Sequence, residues 1–179
     1  MKAKIKATWV SVFLLIAIEQ TIKIIIYNNF FDKRFAILPP ILYFEPMFNR
    51  HYSWFNSMLK LNAGKGLHIA VVVILSILVI VFYRFLTKRI GSIKIVNIMF
   101  AFLFSGAMCS LIDKVFWDGS LDYIMLKGFF TFDLKDLYID VFIGLMILLL
   151  FTKNEQLKQI DEKVLLKDFL DCLLNKKHY

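Results

Sequence analysis

LHIAVVVILSILVIVFYRFL, residues 67–86, decides what kind of chain this is. His68 stands at one end and Arg84 at the other, and between them nothing is charged. A bilayer core takes about 20 predominantly apolar helical residues, so this run predicts a membrane-spanning helix. The rest of the chain agrees with it. Of 179 residues 59% are hydrophobic, and the mean hydropathy is +0.67. A soluble domain is nearer half apolar and does not gather the excess into long runs.

Outward from this run, three more spans are expected, at about 7–27, 95–112 and 137–152. The first follows a basic start, MKAKIKATWVSVFLLIAIEQ, which has the outline of a signal peptide but lacks a small-residue cleavage site. It reads as a retained span. The fold class is thus an α-helical integral membrane protein with four transmembrane helices. Segment 28–66 contains FAILPPILYFEPMFN, rich in β-favouring and aromatic residues, and predicts a small β-rich extracytoplasmic segment between helices 1 and 2. Residues 1–152 form one membrane domain and 153–179 an amphipathic cytoplasmic tail, with Leu157, Ile160, Val164 and Leu173 on a helical stripe.

The net charge is +8. Its basic residues flank the apolar runs rather than forming a basic domain with stacking aromatics, which excludes nucleic acid as a partner. Lys2, Lys4 and Lys6, then Arg84, Lys88, Arg89 and Lys94, then Lys153 and Lys158 fall on one side of a four-span chain. Both termini are therefore expected in the cytoplasm. Cys109 and Cys172 have no metal or disulfide spacing and read as unpaired thiols.

The other side collects acids. Asp113 ends the third span, and Asp118 and Asp122 follow within nine residues. Glu19 is near the outer end of the first span, and Asp133, Asp136 and Asp140 surround the start of the fourth. Topology brings Asp113 and Asp136 to one depth. Two carboxyl groups meeting in a low-dielectric place share a proton, so one takes a proton from water while the other hydrogen-bonds a carbonyl. The same acids also fit membrane-interface residues paired with Lys114, Lys127 or Lys135, or an ion or proton pathway. Lys23, one helical turn after Glu19, reads as its partner. Trp54, Trp117, Tyr43, Tyr52 and Tyr123 read as an interfacial aromatic belt, and His51 and His68 as loop and interface residues.

Several blocks in order resemble the bacterial lipoprotein signal peptidases, the signal peptidase II family. EQTIK at 19–23 is similar to the family's DQxTK block, and Asn49 in FNRHYSWFN stands where the family has NxGAAF. SGAMCSLIDK at 105–114 resembles GGALGNLIDR, GSLDY at 119–123 resembles G-x-V-x-D-F, and FFTFDLKD at 129–136 resembles FxxFNxAD. The resemblance covers about residues 15–152. It implies an intramembrane aspartic endopeptidase with Asp113 and Asp136 as the catalytic pair, and with Asn49, Ser110, Lys114, Asp133, Glu19 and Lys23 at the substrate site. It implies no metal and no cofactor, a diacylglyceryl-modified prolipoprotein as substrate, membrane lipids as surroundings, and a monomer in the bacterial cytoplasmic membrane with its active site at the outer face. The chain departs from the family pattern at Ser110 and Asp133, both asparagine there, at Lys114, an arginine there, and at Lys135, an alanine there. Arg50, His51, Tyr52 and Ser53 also replace small residues. These departures motivate the alternative of a non-catalytic scaffold or lipopeptide binder.

Overall fold

The computed structural model describes residues 2–52, 56, 63–117, 119–151 and 162–174. Ser53, Trp54, Asp118, Lys153, Leu157, Lys158 and Ile160 lie outside the described residues. In chain order the elements are α1 (Lys2–Asn29), β1 (Phe35–Leu38), β2 (Leu42–Asn49), α2 (Lys65–Ile90), α3 (Lys94–Phe116), β3 (Ser120–Leu126), β4 (Phe130–Phe132), α4 (Leu134–Phe151) and α5 (Glu162–Leu173).

Among the described residues three helices are long and apolar enough to cross a membrane: Ile5–Asn29, Lys65–Ile90 and Lys94–Phe116. Their outward faces are apolar, with Phe13, Leu14 and Ile18 on α1 and Ile74, Leu75 and Ile77 on α2 all exposed. In water such faces would be an aggregation hazard, whereas in lipid they meet their solvent. The fourth expected span corresponds to α4. It has 18 residues and carries Lys135, Asp136 and Asp140, so composition alone does not mark it as a span. All four helices run a few residues beyond the expected spans at one end or both.

Helix α3 is the axis of the bundle and touches α1, α2 and α4. Small residues allow the approach, as is usual where helices meet in membranes. Buried Ser105 bonds back to the Ala101 carbonyl at 2.7 Å and stands 3.4 Å from the Val12 carbonyl of α1. A Cβ on the next residue, Gly106, would lie 2.5 Å from Ile139 Cδ1 and 3.3 Å from the Lys135 carbonyl of α4. At the opposite end from the sheet, Val12, Tyr83, Phe100 and Phe104 form a buried apolar cluster.

The strands form one antiparallel sheet in the order β1-β2-β3-β4. The β-rich segment expected between the first two helices is only half of it, because β3 and β4 come from the chain between α3 and α4. In β3, Leu121 and Tyr123 alternate with Ser120 and Asp122, so the strand puts apolar groups on one face and polar groups on the other. Leu121 and Tyr123 pack with Ile26 of α1 in a second buried cluster. Tyr123 is therefore a core residue and not part of an interfacial belt. Pro46 falls at the register shift between Phe44 and Met47, which lets a residue without an N–H sit within an inner strand. The β2–β3 pairing ties together the end of α1, the start of α2, the end of α3 and the start of α4.

Helix α5 docks on the far end of α2. Phe169 meets the rings of Phe82 at 5.0 Å and Phe85 at 5.4 Å, and Asp168 pairs with Arg89 at 3.2 Å. Its contact face thus runs through Leu165 and Phe169, while Val164 and Leu173 of the expected stripe are exposed.

Gly119 precedes β3 with φ +144°, and a Cβ there would lie 2.8 Å from the Asn49 carbonyl oxygen of β2. Gly128 has φ +83° but open space around it. Gly119→Ala is expected to cost about 1–3 kcal/mol, more than Gly128→Ala, since it combines backbone strain with a clash against backbone. Thermal unfolding of the two variants in detergent checks this order.

Candidate active site

Where the sheet meets the helix ends, the structure gathers five carboxyl groups, four of them buried, around two lysines. Lys23 of α1 is fully buried, with Nζ 2.6 Å from Asp113 Oδ2, 2.6 Å from Asp133 Oδ2 and 3.1 Å from Glu19 Oε1. The pairing expected between Glu19 and Lys23 is there, and Lys23 also reaches across to the other two acids. Lys135 of α4 approaches from the other side. Its Nζ is 2.5 Å from Asp133 Oδ2, 3.4 Å from Asp113 Oδ2, 3.5 Å from Asp122 Oδ1 and 3.8 Å from Asp136 Oδ1. The Ser120 hydroxyl accepts from Lys135 at 2.6 Å and donates to Asp122 at 2.6 Å.

Local structure explains how Asp133 and Asp136 are held. Asp133 is the N-cap of α4 and Asp136 its third helical residue. The Asp136 N–H donates to Asp133 Oδ1 at 3.2 Å, and the Asp133 N–H donates to Asp136 Oδ2 at 3.2 Å. This is a reciprocal capping box made of two aspartates. It leaves Asp133 Oδ2 for the two lysines and Asp136 Oδ1 facing Lys135. Asp113 closes the last turn of α3 and is fully buried, with Gln20 Nε2 3.5 Å from its Oδ1. Gln20 in turn accepts from the Trp117 indole at 3.1 Å.

Beside this cluster lies a cavity of about 790 Å³, a size suited to a substrate segment. Leu67, Val71 and Val72 of α2 form an apolar wall. The polar wall carries Asn49, Ser110, Lys114, Asp122, Lys135 and Asp136. Asp136 is the open member of the pair, its side chain 47% exposed. His68 also lines the cavity, and its buried Nε2 has no hydrogen-bond partner among the described residues. Lys114 donates to Ser110 Oγ at 2.6 Å, and Asn49 donates to Asp122 at 3.2 Å.

The structure therefore brings Asp113 and Asp136 to one ammonium group and puts Asn49, Ser110 and Lys114 on the cavity. Glu19, Lys23 and Asp133 are fully buried and do not line the cavity. Asp140, the third acid near the start of the fourth span, is exposed on α4. Sequence reasoning missed Ser120 and Asp122 as site residues. The signal was their spacing of two in a strand, which puts both on one face. Carboxyl oxygens of Asp122, Asp133 and Asp136 come within 4.8 Å of one another, and the Lys135 ammonium within 3.8 Å of all three supplies their positive charge.

Burial opposes ionisation of Asp133, but Lys135 and Lys23 outweigh it and hold its carboxyl below the usual carboxylate range. Asp122 behaves oppositely, since burial pushes its carboxyl up against the pull of Lys135.

The sequence model of one family, described as signal peptidase (SPase) II, matches residues 11–152. Two solved structures of bacterial membrane enzymes, both determined by the in meso method, share the fold. The first has a TM-score of 0.67 at 20% identity and covers 87% of this chain and 94% of its own. The second has a TM-score of 0.67 at 19% identity and covers 83% and 95%. None of the curated proteins compared matches the chain in sequence.

The opposite shifts of Asp122 and Asp133 set opposite signs. A carboxyl held low stabilises the fold above its unfolded pKa and loses that contribution only as pH falls through its folded value, here below about pH 4. A carboxyl pushed up loses its contribution as pH rises through its folded value. At pH 7, Asp133→Asn is expected to cost about 3 kcal/mol or more, because it removes the shared partner of two buried ammonium groups. Asp122→Asn is expected to be neutral or stabilising and to flatten the fall in stability toward neutral pH. Melting temperatures of both variants between pH 2 and pH 8 check the pair of signs.

Proposed function

The chain belongs to the signal peptidase II family, and on that premise we propose that it is an aspartic endopeptidase that removes signal peptides from diacylglyceryl-modified prolipoproteins. Membership carries the broad activity, lipoprotein signal-peptide processing by a membrane peptidase. The finer reading rests on one observation: the acids Asp113 and Asp136 reach a single buried ammonium group beside a cavity with one apolar and one polar wall.

In this reading α4 is the fourth span, both termini are cytoplasmic, and the sheet and the acids lie at the outer membrane surface. The apolar wall of α2 then faces lipid-borne substrate, and the acyl chains and signal helix hold the scissile bond at the lipid–water boundary. Asp136, on the cavity wall, takes a proton from the attacking water. Asp113, buried behind the wall, completes the pair of acids around the Lys135 ammonium. Asn49, Ser110 and Lys114 are positioned to bind the substrate backbone. Glu19, Lys23 and Asp133 keep the buried charges neutralised. The protein acts as a monomer and needs no metal.

A second reading, a lipopeptide binder without turnover, is favoured by the lysine between the two acids. It predicts retention of the lipopeptide with no signal peptide released.

The test is cleavage of a diacylglyceryl-modified prolipoprotein peptide by the purified protein. Asp113→Asn and Asp136→Asn are each expected to lower turnover by roughly 10²–10⁴-fold or more with the protein still folded. At position 136 asparagine keeps the oxygen that accepts from the Asp133 N–H, and at position 113 it keeps an acceptor for Lys23, so loss of fold is not the expected outcome. Full turnover in either variant rejects the paired-acid mechanism.

A further inference from the structure

With cleavage as proposed, the donor to the scissile carbonyl has to lie on the cavity wall next to Asp136. An ammonium group offers three N–H donors and no acceptor. Lys135 spends two of them, on Ser120 Oγ at 2.6 Å and Asp133 Oδ2 at 2.5 Å. Its remaining contacts, to Asp113, Asp122 and Asp136, are 3.4, 3.5 and 3.8 Å. These exceed the ~2.7–2.9 Å of a charge-assisted bond, so one N–H has no close acceptor among the described residues. Lys135 also lines the cavity, while Asp113 is fully buried behind it and bound to Lys23 at 2.6 Å. Elsewhere on this wall Lys114 holds Ser110 and Asn49 holds Asp122, and of the two lysines it is Lys135 that approaches Asp136, at 3.8 Å.

We propose that Lys135 is a catalytic residue, whose third N–H donates to the scissile carbonyl and stabilises the oxyanion that forms there. The proposal rests on the peptidase reading and deepens it. Water adds through oxygen to the carbonyl carbon, and its proton passes to Asp136. The carbonyl electron pair moves onto oxygen, where the Lys135 ammonium meets the charge without giving up its proton. The C–N bond then breaks, its electrons stay on nitrogen, and that nitrogen takes the proton from Asp136. A carboxylic acid and an amine leave, and the aspartate is restored. Asp133 and Ser120 aim the ammonium, and because they hold it before substrate arrives, no reorganisation is needed as the charge develops.

The experiment compares wild type with Lys135→Met on the diacylglyceryl-modified peptide, and measures binding of that peptide and of an analogue with a tetrahedral phosphinate at the scissile position. Loss of one oxyanion donor lowers kcat by roughly 10²–10³-fold. The expected result is a fall of that size with KM within about twofold of wild type, and a comparable loss of phosphinate affinity while the carbonyl peptide still binds. Lys135→Arg, which restores charge and donors, recovers part of kcat. Unchanged turnover in Lys135→Met overturns the inference, as does an equal loss of affinity for both peptides, which would make Lys135 structural. If Lys135→Met does not fold, Lys135→Gln, which keeps a donor without the charge, is expected to show the same split in smaller measure. A folded wild type that neither cleaves nor binds the peptides rejects the peptidase reading and this inference with it, whereas turnover unaffected by the substitution rejects the inference alone.

Discussion

Two ammonium groups among five carboxyl groups hold this end of the molecule together. Lys23 rises from α1 and Lys135 from the first turn of α4, and both bond the same oxygen of Asp133. Asp113 joins them from the end of α3, and Ser120 and Asp122 from β3. Removing charges from water costs several kcal/mol per ion, and only close, well-directed partners repay it. The arrangement therefore has little slack. A helix that slid by one turn would move its charge about 5 Å and leave a buried ion alone. The buried charges thus fix the heights of α1, α3 and α4 relative to one another, a task that apolar contact in lipid does weakly.

That constraint also explains the sheet. Strands β2 and β3 are far apart in sequence, but both spring from helix ends brought to one level. Pairing β2 with β3 satisfies their backbone groups and closes a lid over the charges. Leu121 and Tyr123 seal the lid against α1, while Ser120 and Asp122 on the opposite face complete the cluster. One strand therefore supplies both core and site, and Gly119 sets its start.

Much of this was legible in the chain. Residues 67–86 are apolar enough to be read alone, and the i, i+4 spacing of Glu19 and Lys23 predicts their contact. Asp113 and Asp136 were placed together by topology, without any contact being visible. The rest depended on long-range geometry. SLDYIML is too short for its alternation to stand out, so the second half of the sheet was missed. Tyr123 resembles an interfacial aromatic in sequence, and its burial follows only from pairing with β2. In α5 the apolar residues other than Val164 gather on one face that includes Leu165 and Phe169, whereas the expected stripe runs through Val164 and Leu173, which lie on opposite sides of the helix. Lys135 was visible only as one of several cations near the acids, because nothing local says that a side chain on α4 will point at Ser120.

The departures from the family pattern gain a physical meaning once the cluster is built. Where the family has asparagine and alanine in its last motif, this chain has Asp133 and Lys135, and the structure puts these two side chains 2.5 Å apart. Either change alone would add an unbalanced charge to a buried site. Together they add an acid and an ammonium that neutralise each other, leaving the net charge around Asp113 and Asp136 as it was. Asp133 also keeps the capping role that asparagine can fill, since either side chain offers an oxygen to the N–H of Asp136. The pair therefore preserves the start of α4 and the charge balance of the site, while placing on the cavity wall a cationic donor that alanine could not supply. What changes is the chemical character of the wall next to Asp136, and it changes without disturbing the two acids themselves.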